Sequence, residues 1–178
     1  GDKGEIVQKA ASALAERVLE IGWICPRNGE HPRQRDTWQP CPWGCVKVLR
    51  GLTAIPEAAR NPAQQRAIKM GVHYLLSLDL TRDQAPALIP ESSHWLQLGF
   101  PLGYGSDLLE ALLALCEAGA PLPAAALQWL RDKRREDGRW SLEHTLRRTW
   151  AYFGMVGQPN KWLTIRALRV LLADNPTR

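Results

Sequence analysis

The sequence predicts an all-α protein, an arc of three helical hairpins, and two internal repeats together with the lack of strand signals carry that prediction. The first repeat reads apolar, charged, small, Leu, any residue, small apolar, apolar. It occurs at Leu49–Ile55, Leu109–Leu115 and Ile165–Leu171, spaced by 60 and then 56 residues. The second, a bulky residue followed by Leu, occurs in the same rhythm at Val18-Leu19, Tyr74-Leu75 and Trp129-Leu130. Repeats of this length, each holding a helix pair, indicate a solenoid or a closed helical ring. Period-two alternation, the mark of a half-buried strand, is essentially missing.

Two kinds of helix alternate along the chain. The first kind is expected at about 5–21, 62–79 and 122–135, the second at about 43–56, 105–118 and 161–173. Asn61-Pro62 and Pro121-Leu122-Pro123 supply start signals, because proline is pre-shaped for the first helical turn. Ile68, Val72, Leu75 and Leu76 recur at helical spacing. The small residues Gly51, Ala111 and Ala167 of the first repeat are expected to let neighbouring helices approach. Long Gly/Pro/Trp-containing loops follow the first kind at about 22–42, 80–104 and 136–160, whereas the opposite connections are short. The long loops therefore gather at the N-termini of the second-kind helices. Helix N-termini carry unpaired N–H groups and partial positive charge, so a site is expected there.

Composition bounds the function. With 178 residues, 45% hydrophobic and 23% charged, residues 1–178 read as one ordered domain. Eight Trp stand against two Phe and three Tyr, and such rings line pockets or seal repeat junctions. The cluster Arg131, Lys133, Arg134 and Arg135 is diluted by Asp132, Glu136 and Asp137, so it reads as a solvated helix face and nucleic acid is not an expected partner. No window approaches the roughly 18 apolar residues of a transmembrane segment, and the first residues carry no apolar signal core. A cytoplasmic chain with reduced thiols is expected. It begins with Gly rather than Met, which leaves room for an upstream domain.

Trp129-Leu130, Arg134 and Gly138-Arg139-Trp140 resemble the aromatic-Leu-x3-Gln-x3-Gly-x-Trp repeat of squalene–hopene cyclases and related prenyltransferase-type proteins, with Arg in the Gln position. Cys41-Pro42-Trp43-Gly44, Gly99–Tyr104 and Gly157–Trp162 resemble uncharacterised bacterial members of that superfamily. The resemblance implies an α/α toroid-like arc, here an incomplete α–α barrel, and a prenyltransferase/terpenoid-cyclase-like domain with a pocket for a hydrophobic or isoprenoid-type small molecule. The protonating Asp-x-Asp-Asp motif of class II cyclases is absent. Three hairpins make an arc rather than a ring, so a homodimer or a missing upstream domain is expected to complete it. The alternative is a non-enzymatic protein-interaction or scaffold repeat domain.

Two residue sets carry the chemical expectations. Cys25, His31, Cys41 and Cys45 fall in the pattern C-x5-H-x9-C-x3-C, three thiols and an imidazole that suit tetrahedral zinc. Cys41 and Cys45 near a helix start are expected to have stabilised thiolates, the competing reading being small buried core thiols. The resemblance to protein prenyltransferases, whose zinc is held by Asp, Cys and His near inner-helix starts, sets Cys45 and Asp107 at corresponding places. The second set, Trp43, His94, Trp95, Tyr104, Asp107 and Trp162, is expected around a pocket, with Trp140 and Trp150 as further lining candidates. Asp107 is read as a helix-start partner or, desolvated by Trp95, a general acid. Glu91 paired with Asp107 is the only obvious carboxylate pair for carbohydrate chemistry.

Overall fold

The computed structural model describes residues 3–23, 40–84 and 94–174. Among these residues six α-helices follow one another: α1 (Lys3–Ile21), α2 (Pro42–Thr53), α3 (Pro62–Ser77), α4 (Leu108–Glu117), α5 (Ala124–Asp132) and α6 (Lys161–Asp174). A short 3-10 turn, Glu57–Ala59, lies between α2 and α3. Among the described residues there is no strand, only the isolated bridges Gly99–His144 and Ser141–Pro159. The class is all-α, and among the described residues no helix is long and apolar enough to cross a membrane.

The helix starts follow local chemistry. Asn61 and Gln64 form a reciprocal capping box, the Asn61 Oδ1 accepting from Gln64 N at 2.9 Å and the Gln64 Oε1 from Asn61 N at 3.0 Å. Gln64 is buried and donates onward to Gln8 Oε1 at 3.0 Å, which ties α1 to α3. α4 begins three residues later than expected, because Asp107 is its N-cap in extended conformation rather than a first-turn residue. α5 is shorter at both ends: extended Pro123 caps its start, and the chain leaves the helix at Lys133. α2 stops at Thr53 ahead of Pro56, which cannot continue a helix.

The second-kind helices α2, α4 and α6 stand in a row, with α1 and α3 packed on α2 and α5 on α4. α4 is the centre of that row, and Leu108 through Leu115 are all buried, as a helix flanked on several sides requires. An ionic ladder crosses the row. Lys47 and Arg50 of α2 meet Glu110 of α4 at 2.6 and 3.1 Å, Arg50 also reaches Glu117 at 3.0 Å, and Arg169 of α6 meets Glu117 at 3.3 Å.

The expectation for Gly51 is corrected. It is exposed, and nothing lies within 4 Å of where its Cβ would stand. Close approach occurs instead at Gly71 of α3, where a Cβ would sit 3.0 Å from the Trp23 ring and 3.5 Å from the Cys45 sulfur. Ala111 and Ala167 are fully buried.

Candidate functional site

The three junctions that enter the second-kind helices share one plan. A tryptophan after each first-kind helix accepts, through its carbonyl, an N–H at the start of the next second-kind helix. These bonds are Cys41 N to Trp23 O at 2.9 Å, Leu108 N to Trp95 O at 2.8 Å and Asn160 N to Trp140 O at 2.8 Å. The residue at each start then caps its helix. Cys41 Sγ accepts from Gly44 N at 3.4 Å, Asp107 Oδ1 from Glu110 N at 2.7 Å, and Asn160 Oδ1 from Trp162 N and Leu163 N at 3.0 and 3.2 Å. By the capping bonds Asp107 corresponds to Cys41 and Asn160, although in its junction the tryptophan carbonyl takes the N–H one residue on, at Leu108. Cys45, set beside Asp107 in the sequence reading, lies a turn further into its helix.

The thiol chemistry follows from burial. Cys41 and Cys45 are both fully buried, and the Cys45 thiol donates to Gly71 O at 3.6 Å. Burial, reinforced by Cys41, pushes the Cys45 thiol far above its ordinary range. That is the opposite of the stabilised thiolate expected for it, because α2 carries it into the packed interface with α3 rather than leaving it at the open helix end. Cys25 and His31 lie outside the described residues. Among the described residues no three His, Cys, Asp or Glu side chains gather as a metal site.

Asp107 is fully enclosed, and both of its oxygens are engaged. Besides capping α4 it accepts from Gly99 N at 2.9 Å. Burial pushes its carboxyl up to about 7 against the pull of these two N–H donors. A carboxyl held this way positions Gly99 and is not presented to a substrate, so the general-acid expectation is replaced by a positioning role. Its proposed carboxylate partner, Glu91, lies outside the described residues.

What Asp107 positions is the floor of a cleft. The His144 ring lies directly on Gly99, where any Cβ would collide with it, and it stacks on His94 with centroids 4.2 Å apart. Neighbouring bonds hold the two segments together: Glu143 N to Leu98 O at 2.8 Å, Thr145 Oγ1 to Phe100 O at 2.9 Å, and Leu98 N to the Glu143 carboxylate at 2.6 Å. The Trp43 ring forms the opposite wall, edge-on to Tyr104 at 6.2 Å. Leu102, Leu146, Ser106 and Arg147 complete a cleft of about 230 Å³. It lies at the N-terminal ends of α2 and α4, where the loops gather.

The sequence-selected residues separate into three places. Trp43 and His94 line this cleft, and Tyr104 stands against Trp43. Trp95, next to His94, turns inward instead: it is fully buried and donates to Leu80 O at 2.8 Å. Trp140 does the same with Leu130 O at 2.8 Å, so both are core rings rather than cavity lining. Trp162 lines a separate groove of about 460 Å³ with Arg139, Tyr152, Phe153 and Lys161, and Trp150 is 92% exposed.

His144 is a lining residue that the sequence reading left in a polar loop with Glu143 and Arg147 and did not bring to the pocket. Its partner Gly99 lies far away in the chain, and no local pattern marks the pairing. Burial, then the adjacent His94, depress its imidazole from 6.5 to about 4, with Glu143 opposing them. His144 is therefore neutral at neutral pH. A histidine with a depressed folded value contributes stability that is present above its ordinary value and is lost as pH falls from there toward 4. Nitrogen-detected NMR of the imidazoles should show His144 staying neutral at pH 5, and a midpoint near 6.5 would refute this environment. Comparison of the chain with protein-family models, with curated proteins and with solved structures gives no match.

Proposed function

We propose that this chain binds a mainly apolar, isoprenoid-type small molecule with one oxygen-bearing head group in the Trp43–His144 cleft. One observation carries the reading. Three buried side-chain polar atoms among the described residues have no hydrogen-bond partner, and two of them, Trp43 Nε1 and His144 Nε2, belong to residues lining this cleft. Buried polar atoms are almost always paired; these two are closed off by their neighbours, His144 Nε2 by Gly99, so a ligand reaches them as the lining side chains move aside. A ligand oxygen offers the acceptor that an indole N–H needs, and a neutral imidazole nitrogen accepts or donates according to its tautomer.

The rest of the lining fits the same chemistry. Leu102, Leu146 and the faces of Trp43 and Tyr104 provide apolar wall, and Arg147 suits an anionic head. At about 230 Å³ the cleft is smaller than the roughly 300–1,000 Å³ of most small-molecule sites. It therefore accommodates the head group and the first carbons of a longer chain. The cyclase-like motif supports the reading from another side. Trp140 Nε1 bonds Leu130 O, while Arg134 stands 5.8 Å over the Trp140 ring and donates to Gly138 O at 3.3 Å. The motif thus closes on itself as a seal between repeats. The role proposed is binding, and it requires no metal.

Titration with geranyl diphosphate and with geraniol, followed by calorimetry and tryptophan fluorescence, tests this. Saturable binding of at least one probe is expected. Trp43→Phe keeps an aromatic wall but removes the N–H, and should weaken binding about three- to tenfold. No saturable binding, or a Trp43→Phe variant that binds like the parent chain, would refute the proposal. The open apolar side of α6 favours a second reading, an interaction module, because Trp162, Ile165, Leu168 and Leu172 are all exposed at helical spacing.

A further inference from the structure

We propose that the C-terminal third of the chain docks on an anionic phospholipid surface through the Trp150–Val156 loop and the open side of α6. The charge distribution is the first observation. Residues 144–173 hold Arg147, Arg148, Lys161, Arg166 and Arg169 and not one Asp or Glu. That +5 equals the formal net charge of the whole chain, so everything outside this stretch is balanced.

The second observation is independent of charge. The same stretch carries the most exposed large apolar residues among the described ones, Trp150 at 92% and Tyr152 at 81%, with Met155 and Val156 also open. A chain of rings joins this loop to α6: Trp150 to Phe153 at 5.5 Å, Phe153 to Phe100 at 5.3 Å, and Phe100 to Trp162 at 5.4 Å. Lys161 sits along that chain at 5.1 Å from Trp162, while Arg166, 4.7 Å over Phe100, is half-buried and interacts with Glu110 and Asp107. The exposed apolar row of α6 continues the surface through Ile165, Leu168 and Leu172. Asp137 lies 3.6 Å from Arg139, and Glu117 engages Arg169. Arg147, Arg148 and Lys161 make no ion pair among the described residues.

Tryptophan and tyrosine settle at the boundary between head groups and acyl chains, aliphatic residues enter below them, and basic side chains reach back to lipid phosphates. A protruding loop with that composition, beside a helix open on its apolar side, fits an interface better than a groove partner. A second copy meeting this face with its own would oppose two surfaces of the same sign. Single-stranded nucleic acid would match the rings and the charge. However, Met155, Val156, Ile165, Leu168 and Leu172 stack on no base. The surface is separate from the ligand cleft except for Arg147, which is therefore left unaltered in the test.

The full chain is sedimented with vesicles of phosphatidylcholine containing about one-third phosphatidylserine, and with phosphatidylcholine vesicles alone. Binding to the anionic vesicles is expected, weaker by roughly tenfold or more on the neutral ones and falling as salt rises. Trp150→Ser with Tyr152→Ser should reduce binding about tenfold while leaving the circular dichroism spectrum unchanged, since both side chains project into solvent. Arg148→Ala with Lys161→Ala should reduce it and flatten the salt dependence. No binding to anionic vesicles, equal binding to both vesicle types, or variants that bind like the parent chain would each overturn the proposal. So would binding of a single-stranded oligonucleotide in place of vesicles, or a dimer in sedimentation equilibrium that Ile165→Asp dissociates.

Discussion

Trp140→Ala is expected to lower the unfolding free energy by about 4 kcal/mol, the range for removing a fully buried large aromatic. The ring is completely enclosed, and its indole N–H satisfies Leu130 O at the end of α5. Its backbone carbonyl holds the Asn160 N–H, and its own N–H reaches Thr164 Oγ1 at 3.2 Å. The substitution thus leaves a cavity between α5 and α6 and an unpaired carbonyl inside it. Trp140→Phe should cost less, about 2 kcal/mol, since part of the volume is kept while the indole N–H is lost. Urea unfolding followed by circular dichroism measures both. A Trp140→Ala midpoint within experimental error of the parent would show that the junction holds without its ring.

The second large effect is expected at Glu110. Its carboxylate is buried in the row of helices and receives Lys47, Arg50 and the Ser106 hydroxyl, the last at 2.8 Å. Glu110→Ala leaves two cations facing a buried gap. Removing one partner of a buried pair costs about 3–5 kcal/mol, and the lower end applies because Lys47 and Arg50 keep partial contact with water. Burial alone would push this carboxyl up, but Lys47, the Ser106 hydrogen bond and Arg50 together hold it below the usual range. Its contribution is therefore present above the ordinary carboxylate value and is lost as pH falls through the folded one. Denaturant midpoints measured from pH 7 down to pH 3 should fall less steeply in Glu110→Gln than in the parent chain. Parallel profiles would remove Glu110 from the acid response.

The helices were legible where a start signal is chemical. Asn61-Pro62 announces α3 because an amide cap and a proline each suit only the first turn. The start of α4 was placed too early, since a Gly-containing stretch before an Asp reads the same whether the carboxylate caps the helix or lies inside it. The mid-helix repeat aligned the apolar faces but not the helix starts, and the resemblance to protein prenyltransferases set Cys45 rather than Cys41 beside Asp107. Trp43 and His94, which line the cleft, stood out because one opens α2 and the other lies in the long loop before α4. Trp95 shows the limit of that reasoning: it adjoins His94 in one turn yet points into the core, and only the backbone decides which neighbour faces out. His144 was beyond reach, because its place depends on a glycine distant in sequence and on the carboxyl that anchors that glycine.

The tryptophan carbonyl that holds each helix start turns every long loop into a closed handle, fastened at both ends before the next helix begins. Where the chain inside a handle is largely exposed, as at 148–152, its length is free of the helices on either side. Lengthening it costs little, on the order of 0.6 kcal/mol for each doubling of a flexible loop. Relatives of this chain should therefore tolerate insertions in the exposed part of the last handle, at 148–152. That stretch is where foreign binding segments can be spliced in without disturbing the helices, and where new specificity is most easily acquired.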